Sequence, residues 1–201
     1  MIRFYYNLAP NPMKVALCLE EMGLKYELAP VDTRKGEQHA PAYLAINPNA
    51  KVPAIIDDGA TVFDSNAILL YLAEKTGQLL PTRPAARAKA YEWLGIVASD
   101  IAPAYSGQFV FNVIAPAKDP WAIGFYDKLC LRLLAPMESR LAASRHLAGD
   151  DYSIADVVAY PVAAVSMKRF PGDLSGHPNI ARWAAEVGAR PAVQRGMKVP
   201  R

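Results

Sequence analysis

The stretch from Asn47 to Gly77, NPNAKVPAIIDDGATVFDSNAILLYLAEKTG, constrains the fold more than any other part of the chain. Val52-Pro53 stands at the mouth of a short apolar run, Ala54 to Ile56. Asp57-Asp58-Gly59 is a tight-turn sequence, and a second short run, Thr61 to Phe63, follows it. Asp64-Ser65 then precedes a helical pattern, with apolar Ile68, Leu69 and Leu72, that Gly77 closes. The order is loop, strand, hairpin turn, strand, helix.

A proline at the start of a strand removes a ladder donor. A cis Val52-Pro53 bond would give it a purpose. It would turn the backbone and leave the N–H and C=O of Val52 free to pair with an extended, peptide-like ligand. A helix starting at Ser65 offers bare N–H groups and a hydroxyl to a carboxylate, while Asp64 beside it can meet an ammonium. Read singly, Pro53 is a trans edge-strand residue and Ser65 an ordinary N-cap. Read together, they outline a site for an amino-acid-like end carrying both charges.

The segments on either side complete a domain. Ile2 to Tyr6 reads as a buried strand, and Asn7 to Asn11 as a loop. Asn11 is a good N-cap, with Pro12 at the first helical position. Val15, Leu19 and Met22 repeat at helical spacing until Gly23, and Tyr26 to Val31 reads as a second strand. Strand, helix, strand predicts a parallel pair with a right-handed crossover. With the hairpin and its helix this gives βαβββα, an α/β thioredoxin-like domain.

The order NPxxKVPAI, hairpin, Asp-Ser and helix resembles the N-terminal domain of cytosolic glutathione transferases, and the resemblance extends over nearly the whole chain. It implies glutathione as a substrate, no metal, and a homodimer. In that family the residue before the cis-proline pairs with the cysteinyl backbone of glutathione, and the acidic-Ser pair holds the γ-glutamyl end. These roles fall on Val52, Pro53, Asp64 and Ser65. The family rests the glutathione sulfur at the start of the first helix, where dipole and free donors favour a thiolate. Asn11 either caps that helix or gives the sulfur its amide, or does both in turn.

Subclass features are mixed. PNPMK resembles the nu class, which shows PNG and then a basic residue. Asn11 matches the sulfur-binding Asn of that class, but the neighbouring Thr is replaced by Ala9. Beta-class bacterial enzymes carry a cysteine where Pro10 stands. A KGxQ segment of the nu class matches Gln38, which is otherwise an exposed loop residue. Lys51 either meets the glycyl carboxylate or is solvated. Asp100 resembles a beta-class acid that reaches the γ-glutamyl ammonium across the dimer, or is an exposed helix carboxylate. Arg132, in PWAIGFYDKLCLRLL, resembles a nu-class Arg at the glutathione site, or lies on the surface; guanidinium suits a carboxylate through its paired donors.

Beyond a proline-bearing linker over 79–85, the pattern is helical from 86 to 201. One helix is expected over Ala85 to Ile101, bent or ended by Pro103, and another over Pro120 to Leu141, kinked by Pro136. Gly107 to Ala117, rich in Phe and Val, reads as core or as the wall of an apolar pocket. Ser153 and Asp156 have capping-box spacing, with a structural role, and Trp183 is a core candidate. Two final short helices are expected over Pro178 to Val187 and Pro191 to Met197.

A formal net charge of +3 without a dense Lys/Arg cluster argues against nucleic acid as the main partner. The two cysteines, Cys18 and Cys130, are flanked by leucines and form no CxxC, so they read as buried, reduced core residues. That suits a cytoplasmic, soluble protein, as does the lack of a signal-like N-terminus or membrane-length apolar run. His39 has no metal-ligand partner at useful spacing. The expected activity is a glutathione transferase, its thiolate attacking a small apolar electrophile, or glutathione-dependent reduction of a disulfide or peroxide. The alternative is a glutathione-binding protein on the same fold with little catalysis.

Overall fold

The computed structural model describes residues 1–167, 174 and 176–199. They form two compact units: Met1–Leu80 with the segment from Ala189 onward, and Pro81–Gly188.

In the first unit, β1 (Ile2–Tyr6), α1 (Pro10–Glu21) and β2 (Tyr26–Pro30) form the expected crossover, with β1 and β2 parallel. A 3-10 turn (Glu37–His39) and a one-turn helix, α2 (Pro41–Leu44), lie in the connection to the hairpin. The sequence reading had only a loop over Asp32–His39; a single turn is too short to show a helical period. β3 (Ala54–Asp57) and β4 (Ala60–Phe63) follow, then α3 (Ser65–Thr76). The sheet order is β2-β1-β3-β4. Asp58 (φ 49°) and Gly59 (φ 85°) both sit in the left-handed region, as a two-residue hairpin loop with the native strand twist requires.

Strand alternation divides β1 between two faces. Phe4 and Tyr6 share one, their rings 5.7 Å apart. Tyr5 faces the other, edge-on to Tyr43 of α2 in a cluster with Ala29, Val31 and Ala54. Both tyrosines at the end of β1 are therefore core residues.

The last described helix, α9 (Pro191–Gly196), belongs to this unit. The sequence reading grouped it with the helices over 86–201; it packs instead on α1. Gly196 lies so close that a Cβ there would sit 2.9 Å from the Leu17 Cα. Arg190 grips Glu21 through two hydrogen bonds of 2.7 and 2.9 Å, and Arg195 reaches Glu20 at 2.6 Å.

The second unit is helical. α4 (Pro84–Ile96), a π-turn (Val97–Ile101), α5 (Ala102–Phe109) and a second π-turn (Val110–Ile114) run on without a break. Pro103 therefore does not end the helix. The wider π-turn just before it re-registers the backbone where the proline has no N–H to give. Phe109, Val110, Val113 and Ile114 are exposed, so the Phe/Val-rich segment is not core.

α6 (Pro120–Ala143) stays helical through Pro136. α7 (Ile154–Pro161) opens with the expected capping box, Ser153 and Asp156 both fully buried. The Asp156 carboxylate accepts from the N–H groups of Leu147 (3.0 Å) and Ser153 (3.0 Å) and from Trp183 Nε1 (2.8 Å). Trp183, on α8 (Pro178–Gly188), is completely buried. Burial pushes the Asp156 carboxyl up, and the hydrogen bonds from Leu147, Trp183 and Ser153 and the nearby His146 pull it back. This is a folding hub with no group left to do chemistry.

Candidate active site

Strand register brings the chemistry of the first unit to one edge of its sheet. Tyr5 pairs with Ala54, and Ala54 with Phe63. The end of β1, the start of β3 and the end of β4 are therefore level. β2 runs parallel to β1, so its end lies on the same edge. Across that edge, in sheet order, stand Thr33, then the loop Asn7–Ala9 with the start of α1, then Val52-Pro53, then Asp64-Ser65 with the start of α3. The carboxyl edge of a parallel pair is where α/β folds hold ligands. From β1 to β4 is two strand spacings, about 10 Å, and an extended tripeptide spans about 10 Å.

The Val52-Pro53 bond is cis, as the sequence reading expected. Neither the N–H nor the C=O of Val52 has a hydrogen-bond partner among the described residues. The carbonyl of Lys51 beside it is used twice, by Tyr43 Oη (2.7 Å) and Asn47 Nδ2 (2.6 Å). The loop is thus anchored one residue before the pair that stays open.

The start of α1 differs from expectation. Its N-cap is Ala9, not Asn11, and no side chain caps it. Asn11 lies one position inside the helix and is exposed. Pro10 and Pro12 flank it, so two of the usual first-turn donors do not exist. The Asn11 peptide N–H and its side-chain amide are what the helix start itself offers an anion, together with the macrodipole.

At α3 the cap is Asp64, not Ser65. Asp64 Oδ1 accepts from the N–H of Asn66 (2.9 Å) and Ala67 (3.2 Å). Ser65 is the first helical residue, 3 % exposed, and its hydroxyl has no partner among the described residues. The carboxylate thus both caps the helix and presents negative charge beside a free hydroxyl.

One charged residue beneath this edge went unremarked in the sequence beyond its sign. Lys14, in the second turn of α1, is 1 % exposed. Burial pulls its ammonium down to about 8, and Asp64 pulls it partly back. Nothing in a helical period separates a buried lysine from a surface one; its one signal was an apolar flank, Val15 to Leu19, that leaves it no solvated face.

Two family models match the chain: "Glutathione S-transferase, N-terminal domain" over residues 2–74 and "Glutathione S-transferase, C-terminal domain" over residues 127–191. The chain belongs to the glutathione S-transferase family. It is 39 % identical to the disulfide-bond oxidoreductase YfcG of Escherichia coli, over 98 % of this chain and 94 % of that protein. It is 35 % identical to YghU of the same organism, another disulfide-bond oxidoreductase, over 100 % of this chain and 75 % of that one. A glutathione transferase from Burkholderia graminis, solved with two glutathione molecules per subunit, superposes with a TM-score of 0.94 at 36 % identity, covering 100 % of this chain and 88 % of that one. A Pseudomonas putida transferase, solved with one glutathione disulfide per subunit, gives 0.93 at 32 % identity, covering 100 % and 92 %. The thioredoxin-like first unit and the helical second unit are the two halves of this transferase fold.

The remaining expected residues fall in both units. Gln38 lies in the 3-10 turn, and its Oε1 is buried without a partner, an acceptor awaiting a donor. Lys51 is exposed, free to meet a carboxylate. Asp100 and Arg132 belong to the second unit. Asp100, in the first π-turn, is exposed and accepts from Ser99 Oγ at 2.6 Å. Arg132 is exposed on α6, beside a groove of about 180 Å³ with Phe125, Lys128 and Leu129. Cys18 and Cys130 are both 0 % exposed. Burial pushes the Cys18 thiol far up and the Cys130 thiol to about 12. His39 is exposed, and no group of three or more metal-ligating side chains occurs among the described residues.

Proposed function

We propose that this transferase uses bound glutathione as its sulfur nucleophile, with disulfides as its main substrates. The observation that carries this reading is the state of the protein's own thiols. Cys18 and Cys130 are sealed in the core and held protonated, so the reactive sulfur must come with the substrate. Glutathione thiolate attacks one sulfur of a disulfide; the S–S bond breaks, and its electron pair leaves on the other sulfur, which takes up a proton. A second glutathione thiolate attacks the resulting mixed disulfide, releasing the second thiol and leaving glutathione disulfide. The same thiolate serves the transferase reaction on an electrophilic carbon, or the reduction of a peroxide. The names of the relatives, disulfide-bond oxidoreductases, support the first of these.

In this reading the tripeptide lies along the sheet edge. Ser65 and Asp64 take the γ-glutamyl carboxylate and ammonium, Val52 beside cis Pro53 pairs with the cysteinyl backbone, and Gln38 and Lys51 take the glycyl end. Asn11 supports the sulfur and lowers its proton affinity. Asp100 and Arg132 are proposed as second-unit contributors, Asp100 across a homodimer. The exposed apolar set at Phe109, Val113, Trp121 and Phe125 supports an assembly that covers it. The two reduced, buried cysteines support a cytoplasmic location. Among the described residues, no helix is long and apolar enough to cross a membrane.

Calorimetric titration with glutathione tests the reading. Binding is expected for the wild type, about ten-fold weaker for Ser65→Ala, a loss of about 1.4 kcal/mol. Absence of binding up to millimolar glutathione would overturn it. Turnover of a small model disulfide against a model electrophile then ranks the two reactions.

A further inference from the structure

The sulfur position is short of donors. Ala9 carries no hydroxyl, and Pro10 and Pro12 carry no N–H. Asn11 is left nearly alone to stabilise a thiolate, while oxyanion and thiolate sites usually converge two or more donors. A further hydroxyl stands on the same sheet edge. Val31 N–H donates to the Tyr6 carbonyl at 2.9 Å, which ties the chain leaving β2 to the chain leaving β1. Two residues on, Thr33 Oγ accepts from Asn7 Nδ2 at 2.9 Å. These two side chains, 26 residues apart and both partly buried, stitch the two loop exits together at the loop that leads into α1.

The direction of that bond matters. The Thr33 oxygen accepts from Asn7, so its own proton is left to donate, and no described residue accepts it. A hydroxyl that already accepts a hydrogen bond is polarised into a better donor. Asn7 is held in turn with its Oδ1 buried and without a partner, an arrangement that a self-contained loop would not leave. Asn7 and Ala9 are two residues apart, at most about 7 Å along an extended chain. The exits of β1 and β2 are one strand spacing apart, about 5 Å, so the Thr33 hydroxyl stands on the loop next to the one where Ala9 falls short.

We propose that Thr33, oriented by Asn7, gives the glutathione sulfur the hydrogen bond that Ala9 cannot. Thr33 is then a catalytic residue and Asn7 a positioning residue. The proposal rests on the glutathione reading above, and its test separates the two. The test titrates the ultraviolet thiolate absorbance of protein-bound glutathione against pH, with glutathione affinity measured alongside by calorimetry. Thr33→Val, near-isosteric, is expected to move the midpoint up by about one pH unit, a ten-fold change in the thiol ionisation constant, with affinity changed no more than about three-fold. Thr33→Ser keeps the wild-type midpoint, and Asn7→Ala shifts it the same way by less. Thr33→Ala gives the same reading should valine disturb the turn. A midpoint unmoved in both Thr33→Val and Thr33→Ala, with glutathione still bound, overturns the role of Thr33. Failure of the wild type to bind glutathione overturns the functional reading first, and this proposal with it.

Discussion

Two helix starts in this molecule are built to opposite ends. α7 begins inside the second unit as a closed start: Ser153 and Asp156 close the box, and Leu147 and Trp183 add their N–H groups to the same carboxylate. α1 begins at the edge of the first unit with an alanine cap, two prolines and one exposed Asn. Both sites are local sequence events of a few residues. A closed start is a statement about folding; an open one, on a sheet edge where other loops converge, leaves its electrostatics for a ligand.

The comparison can be broken at either end. The largest effect is expected from Asp156→Ala. It strips the charge-assisted partner from three buried donors and should cost about 4 kcal/mol, read as a fall in Tm or as loss of folded protein. Glutathione affinity of the surviving folded fraction should hold; a specific loss of binding would show that α7 is not only a folding device.

Next in size is the pH response of Lys14. Its folded value lies near 8, below the ordinary 10.5 of an unfolded lysine. At this group the unfolded chain therefore holds more protons between pH 8 and 10.5, and its contribution to stability should rise with pH across that window. The burial cost is complete below the window and relieved above it, a change on the order of 3 kcal/mol. Denaturant unfolding of the wild type and Lys14→Met at pH 7 and pH 10 isolates it as the difference between the two slopes, because the buried Cys18 and Cys130 thiols pull both proteins the other way at the upper end of that range.

Asn11→Ala should lower turnover about thirty-fold, roughly 2 kcal/mol of transition-state stabilisation, with Tm nearly unchanged. A large stability loss instead would make Asn11 a structural residue after all. Ala9→Thr is the smallest change. Closing the open start should stabilise by about 0.5 kcal/mol, because Pro12 leaves only the Asn11 N–H for the new cap to accept. Turnover should be at least as high as in the wild type; a drop would show cap and sulfur competing for that one N–H.

Much of this was readable in the sequence where a single residue has one conformational use. Asp58-Gly59 specifies its hairpin loop, Gly77 its left-handed helix end, and the Ser153–Asp156 spacing its box. Reading failed where two neighbours could serve. Pro10 and Pro12 each suit a first helical position, and pairing Asn11 with Pro12 placed the helix start two residues late. Asp64 and Ser65 are both good caps, and the backbone chose the aspartate, at φ 72°. The π-turn before Pro103 has only that proline as its signal, which reads equally as a helix end, and the π-turn at Phe111 has no side-chain signature. The Asn7–Thr33 bond joins residues on two loops, which no local pattern connects.

The attachment of α9 to α1 has a consequence for how the polypeptide is made. The first unit holds residues at both ends of the described chain, so its last helix is translated only after the whole of the second unit. At 5–20 residues per second, the ribosome needs on the order of ten seconds to pass from Leu80 to Ala189. Through that interval the face of α1 around Leu17 and Glu21 is bare, a carboxylate without its guanidinium and a glycine-sized notch without its glycine. The unit that carries most of the candidate site begins first and gains its last described helix after the second unit.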